Sequence, residues 1–182
     1  MKKILCIALL AHLMFVSSIS SASIPKITYQ PYSSDAIKLS KKLLKLKDKY
    51  HLKFKDEKDL QETCHIICEY AKYSKFNKYE IASVVLWESR YDQYAVSPCG
   101  ARGLGQTHNI KKDYKEELFW VKNQFDKHQN LTATIIILQD KLKSYKTKHM
   151  ALVRYNGKVC KNSRTYADLV IKTKNEIKDL KT

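Results

Sequence analysis

One carboxylate stands where chemistry is possible. The run Ala82-Ser-Val-Val-Leu-Trp-Glu88 is apolar until its last residue, and Ser97, Gly100, Ala101, Gly103 and Gln106 follow within a short Gly-containing stretch. A carboxyl near the end of an apolar helix loses hydration of its charged form and meets the negative end of the helix dipole; both effects raise its pKa. Glu88 is therefore expected to be partly protonated near neutral pH, the condition a general acid must meet. The commoner fate of a Glu is duller: its carboxylate reaches water or caps a neighbouring backbone group.

The surrounding elements decide between these fates. Asn77 is a good N-cap and Glu80 stands three residues on, as in a capping box; Ile81, Val84, Val85 and Trp87 then put apolar groups nearly all round the helix, which predicts a buried element. Leu60, Cys64, Ile67, Cys68 and Ala71 mark one apolar face of a preceding helix, expected to form a hairpin with the Glu88 helix through a turn at 74–77. Further on, Asn130 is the expected N-cap of a helix buried around Ile135 to Leu138, residues 150–155 form an apolar helix stopped by Asn156-Gly157, and a basic helix runs from Tyr166 to Leu180. Between them lies a polar and aromatic segment, 107–128, expected to be a short helix and a loop, where Tyr114 and Trp120 either stack on sugar faces or pack in the core. With only four Gly and three Pro in 182 residues, the chain is expected to be all-α.

The pattern Glu-Ser-x-Tyr-x-x-x-Ala-x-Ser-x-x-Gly-Ala-x-Gly-Leu-x-Gln from Glu88 to Gln106 resembles the signature of the lytic transglycosylases, soluble enzymes with a goose-type lysozyme-like fold. A second block, Asn130-Leu-Thr-Ala with Ile135 to Leu138 and then Arg154-Tyr155-Asn156-Gly157, is similar to that family's Asn-Ile-x-x-Gly helix and its Tyr-Asn-Gly motif. The likeness extends over about residues 56–168. It departs from the family at Gly105, where Met is usual and would wall the cleft, and at Thr134, where Gly is usual.

The resemblance implies a peptidoglycan-cleaving reaction that needs no second carboxylate, because the substrate supplies its own nucleophile. Glu88 protonates the oxygen between N-acetylmuramic acid and N-acetylglucosamine, then takes the proton of the muramyl C6 hydroxyl as a 1,6-anhydro ring closes. The helper roles follow position by position. Ser97 bonds the N-acetyl group or the acid, Gln106 binds a polar edge of substrate, and Tyr155 donates towards Glu88 or the developing charge. Gly100, Ala101 and Gly103 let the backbone approach the glycan, and Asn156 fixes a turn. Asp92, one turn after Glu88, is the nearest other acid. The rival readings are a goose-type lysozyme that uses water and a non-catalytic basic wall-binding component of a secretion or conjugation apparatus. No cofactor or metal is expected.

The chain opens with Met-Lys-Lys, an apolar run and Ser20-Ser-Ala22, which reads as a signal peptide over 1–22 cut after Ala22, with a retained anchor as the alternative. Residues 23–55 are expected to be an N-terminal extension with a basic helix capped by Ser34 or Asp35, and 56–182 the transglycosylase-like domain. The leucines of that basic helix are expected to pack on the domain rather than lie on a membrane. The mature protein then has no membrane span and works in the periplasm or the cell-wall space. Its formal charge, +16 for the whole chain, suits an anionic wall, while no zinc-finger, RNP or basic-zipper pattern points to nucleic acid. Four cysteines remain, Cys64, Cys68, Cys99 and Cys160; in an oxidising compartment they suggest two disulfides, with Cys99 and Cys160 stapling the cleft loops to each other or to the Cys64 helix. A zinc site of Cys64, His65 and Cys68 is the weaker alternative, since the remaining spacing fits no finger.

Overall fold

Most of the helices start on a side-chain cap. In the computed structural model, which describes residues 32–108, 110, 114, 117–157 and 163–182, Ser33 accepts the Ala36 N–H at 3.3 Å and opens α1 (Ser34–Leu44), one or two residues before the expected cap. A four-residue turn, α2 (Lys47–Tyr50), follows, and Asp56 caps α3 (Glu57–Ala71) through the Asp59 N–H at 2.8 Å. Helix α4 (Lys78–Ser89) has the expected capping box: Asn77 accepts from Glu80 N–H while Glu80 accepts from Asn77 N–H. Helices α5 (Lys127–Tyr145), α6 (Lys148–Tyr155) and α7 (Ser163–Asp179) complete the described residues, among which only isolated bridges stand in for strands. The expected signal peptide at 1–22 and the lead up to Pro31 lie outside the described residues.

The expected cap at Asn130 is corrected. Asp126 takes that place, accepting the Gln129 N–H at 2.8 Å, which moves the start of α5 four residues earlier and turns Asn130 inward. The last helix likewise begins at Ser163, earlier than Tyr166.

Helix α4 is the centre of the packing. Six consecutive residues, Ile81 to Leu86, are buried, as expected of a helix apolar all round. It packs on α3 on one side and on α7 on another, where Trp87 Nε1 donates to Thr173 Oγ1 at 3.0 Å. Leu39, Leu43 and Leu46 of the N-terminal segment join the same core, so the basic helix does pack its leucines on the domain. Its lysines are partly absorbed as well: Lys42 and Lys45 donate to the carbonyls of Lys178 and Lys181, satisfying acceptors that the end of α7 leaves open. On the other side of the molecule Lys127 is buried between Asp59 and Glu62, at 2.6 Å from each, and ties α5 to α3. No helix among the described residues is long and apolar enough to cross a membrane.

Candidate active site

Helix α4 ends abruptly, and that ending places the acid. Arg90 and Tyr91 both adopt left-handed backbone, with φ of 54° and 65°, a conformation rare for a bulky aromatic. Burial holds it: Tyr91 is sunk in the core with its hydroxyl on the Ala82 carbonyl at 3.1 Å. The chain therefore turns away directly after Ser89, and Glu88 stays on the last turn, facing α6 and α7.

Part of the Glu88 residue reaches the surface, but its carboxyl is packed closely by protein. Among the described residues no ion pair joins it, and one hydrogen bond reaches it, from Tyr166, whose hydroxyl donates to Oε1 at 2.6 Å. Burial pushes the Glu88 pKa up to about 7, against the smaller downward pull of the Tyr166 bond. At neutral pH the carboxyl is thus divided between its acid and base forms, as the sequence predicted. Tyr166 is itself buried, and burial together with the nearby Glu88 charge drives its phenol well above the usual range, so it remains a donor.

Tyr166 is the residue that sequence reasoning missed. From sequence it is only the first residue of a basic tail helix. Its spacing from Val170, Thr173 and Ile177 puts it on the buried face of α7, and a buried tyrosine hydroxyl must find a partner; that was the available signal.

Tyr155 lies near the acid but does not bond it. Burial and the Glu88 charge both raise its pKa, yet its hydroxyl donates to the Gly105 carbonyl at 2.6 Å, with Thr134 Oγ1 at 3.4 Å. The expectation that Tyr155 donates towards Glu88 is corrected in this respect: the donor is Tyr166. The same cluster accounts for the two departures from the family pattern. A Cβ on Gly105 would lie 1.9 Å from Thr134 Oγ1, so the glycine is what makes room for the threonine. Gly105 and Thr134 are one exchange of small for large across a single contact.

The loop from Ser97 to Gln106 is built mostly by its own hydrogen bonds. Ser97 Oγ accepts the Ala101 N–H at 3.0 Å, and Gln106 Nε2 donates to the carbonyls of Ala95 and Gly103, both at 3.0 Å. Ser97 makes no hydrogen bond to Glu88, and the Gln106 amide nitrogen serves the loop. Gly103, at φ 74°, faces inward: a Cβ there would meet the Gln124 carbonyl at 2.2 Å, so the backbone it admits is the chain's own. Gly100, at φ 84°, has open space at the corresponding point, and Ala101 is half-buried. The clamp is Asn130, which accepts from Gly105 N–H at 2.7 Å and donates to the carbonyls of Arg102 and Gln124 at 2.9 and 2.8 Å. Asn156 closes α6, followed by Gly157 at φ 92°.

Other expected groups lie elsewhere. Asp92 turns back to accept the Tyr94 N–H at 2.9 Å and borders a hollow with Lys53 and Lys55 that Glu88 does not line. Tyr114 and Trp120 are partly buried against a second small core around Leu118 and Ile137. Cys64, Cys68 and Cys99 are free thiols, so none of these three is stapled to another, while Cys160 lies outside the described residues. No three His, Cys, Asp or Glu side chains among the described residues are placed to hold a metal ion.

A helical bundle in which a largely buried helix ends on an acid that pairs with no cation among the described residues has the layout of a lysozyme-like domain. Consistent with that class, the family model for the transglycosylase SLT domain matches residues 65–174, more than half of the chain, with Glu88, Tyr155 and Tyr166 all inside the match. The chain belongs to that family, whose substrate is peptidoglycan. No curated protein and no solved structure matches it.

Proposed function

We propose that the protein breaks the β-1,4 bond between N-acetylmuramic acid and N-acetylglucosamine without water, using Glu88 as its single acid and base. The observation that carries this reading is a buried carboxyl at a pKa of about 7 with a tyrosine donor and, among the described residues, no cation. In its acid form Glu88 gives its proton to the glycosidic oxygen as the bond to the muramyl C1 breaks. The resulting carboxylate, steadied by Tyr166, takes the proton of the muramyl C6 hydroxyl, and that oxygen bonds to C1. The proton lost in the first step is regained in the second, so Glu88 ends as it began and no water is consumed. A group of intermediate pKa is suited to both halves of this cycle.

Ser97 retains an uncommitted hydroxyl proton and stands on a loop with open space at Gly100, which fits a role in holding the N-acetyl group. The signal-like N-terminus and the basic charge fit action on the wall outside the cytoplasm. Digestion of purified peptidoglycan followed by mass spectrometry tests the proposal. The expected products end in anhydromuramic acid; products heavier by one water would make the protein a hydrolase, and Glu88→Gln retaining activity would remove the acid from the mechanism.

A further inference from the structure

The Ser97–Gln106 loop has two edges. At one, the Gly105 carbonyl holds Tyr155 beside Glu88. At the other, Gly100 and Arg102 form one wall of an open hollow of about 660 Å³, closed on the far side by Lys122, Asn123 and Phe125. Arg102 and Gly105 are three residues apart, so the two edges are separated by no more than roughly 11 Å of chain.

The lining of this hollow is lopsided in charge. Arg102, Lys122 and His108 contribute to it, all three exposed, and no Asp or Glu among the described residues does. Neither Arg102 nor Lys122 pairs with a carboxylate among the described residues. The hollow beside Asp92 is the contrast: there lysines face Asp59, Glu62, Asp92 and Asp126, and the buried Lys127 is already paired with two of them. The floor of the basic hollow is apolar, from Ile110 and Val121, and Arg102 lies over the Phe125 ring at 5.9 Å. Two exposed cations beside an apolar lining favour a ligand with a carboxylate on a short aliphatic body.

We infer that this hollow is a subsite for a carboxylate of the peptide stem carried by the muramic acid, bound by Arg102 and Lys122. The inference rests on the peptidoglycan reading above. It adds that the protein distinguishes stem-bearing glycan from naked glycan, with the stem held across the loop from Glu88. Asn123 lies at the rim with its side chain engaged by Phe125 N–H, which leaves the two cations as the recognising groups.

The test is a binding titration in the Glu88→Gln background, so that no probe is consumed. The probes are a muramyl disaccharide with its peptide stem, the same disaccharide without it, and inorganic phosphate. The stem-bearing probe is expected to bind more tightly than the naked one and to lose about tenfold in affinity when Arg102→Gln and Lys122→Gln are combined, the naked probe losing nothing. Both substitutions are on exposed side chains, and an unchanged thermal melt verifies the fold. The inference is overturned if the stem adds no affinity, if both disaccharides lose affinity equally, or if phosphate binds as tightly as the stem-bearing probe. Cleavage is read separately: an inert wild-type protein that still shows the stem-dependent binding would remove the enzymatic proposal and leave the subsite standing.

Discussion

Two glutamates of this protein accept a tyrosine hydroxyl at the same distance and respond in opposite ways. Glu88 receives Tyr166 at 2.6 Å and Glu176 receives Tyr50 at 2.6 Å. Glu88 is raised to about 7. Burial pushes Glu176 up as well, but hydrogen bonds from Lys49 and Tyr50 outweigh it and hold the carboxyl below its ordinary value. The hydrogen bond from tyrosine is therefore not what raises the pKa of a carboxyl. Two things differ: Lys49 pairs with Glu176 while no cation among the described residues pairs with Glu88, and Glu88 is much the more deeply buried of the two. Burial without a counter-charge is the feature to break.

The largest effect is expected at Glu88 itself. Glu88→Gln keeps the shape and the Tyr166 contact but cannot carry the proton, and wall-lytic activity should fall by about 10²–10⁴-fold or more in a turbidity assay. The same substitution should stabilise the fold in alkali. A raised carboxyl favours the folded state while protonated; that contribution is full below about pH 4.5 and is lost as pH rises through about 7. The cost of holding the charged form is about 3 kcal/mol, so Glu88→Gln should melt several degrees higher than wild type at pH 8.5 and with little difference at pH 4. Equal melting differences at both pH values would mean that the carboxyl is well solvated and that the contrast with Glu176 is lost.

Gly105 and Thr134 together engage the hydroxyl of the second tyrosine, so disturbing their contact tests whether Glu88 is limited to one donor. Gly105→Ala puts a methyl 1.9 Å from Thr134 Oγ1 and should cost about 1–3 kcal/mol while displacing the carbonyl that holds Tyr155. Adding Thr134→Gly should recover part of the loss, although a glycine inside α5 carries its own penalty of about 1 kcal/mol. Stability of the double variant equal to the sum of the two single effects, in a double-mutant cycle, would show that the residues are uncoupled.

How much of this was readable beforehand follows from where each determinant sits along the chain. Glu88, its capping box and its apolar helix lie within twelve residues, and local pattern was enough to place them. Tyr166 is 78 residues away, and only the packing of α7 on α4 brings it to the carboxyl. Tyr155 was named, yet the direction of its hydroxyl depends on the Gly105 carbonyl, which no local rule supplies. Asn130 was read as a cap because Asn caps helices; Asp126 does so equally well, and the buried backbone groups of the Ser97–Gln106 loop needed a donor and an acceptor that Asn130 alone could offer. The expected disulfides came from compartment and count, which say nothing about whether two sulfurs meet.

A more moderate effect is expected at the tyrosine. Tyr166→Phe removes a hydrogen bond that favours the charged form of Glu88, so the pKa should move further up. The alkaline limb of the kcat/KM profile, expected near pH 7 in wild type, should shift upward by about one pH unit, with a several-fold fall in kcat because the carboxylate formed in mid-reaction is less well held. A purely structural role would lower activity without moving the limb.

The smallest effect belongs to the other half of the comparison. Lys49→Met leaves Glu176 with its tyrosine but no cation, an imitation of the Glu88 arrangement at a site that is still open to water. Because solvent replaces most of what the lysine supplied, Tm at pH 7 should change by no more than about 2 °C and lytic activity not at all. The sign with pH is the reverse of that at Glu88: the depressed carboxyl contributes stability above its unfolded pKa and loses it as pH falls through the folded one, so wild type and Lys49→Met should converge in acid. Nuclear magnetic resonance titration of Glu176 should show its pKa rising towards the ordinary value and stopping there. A rise to the range of Glu88 would mean that the missing cation suffices by itself; a rise that halts at the ordinary value assigns the remainder of the Glu88 shift to burial.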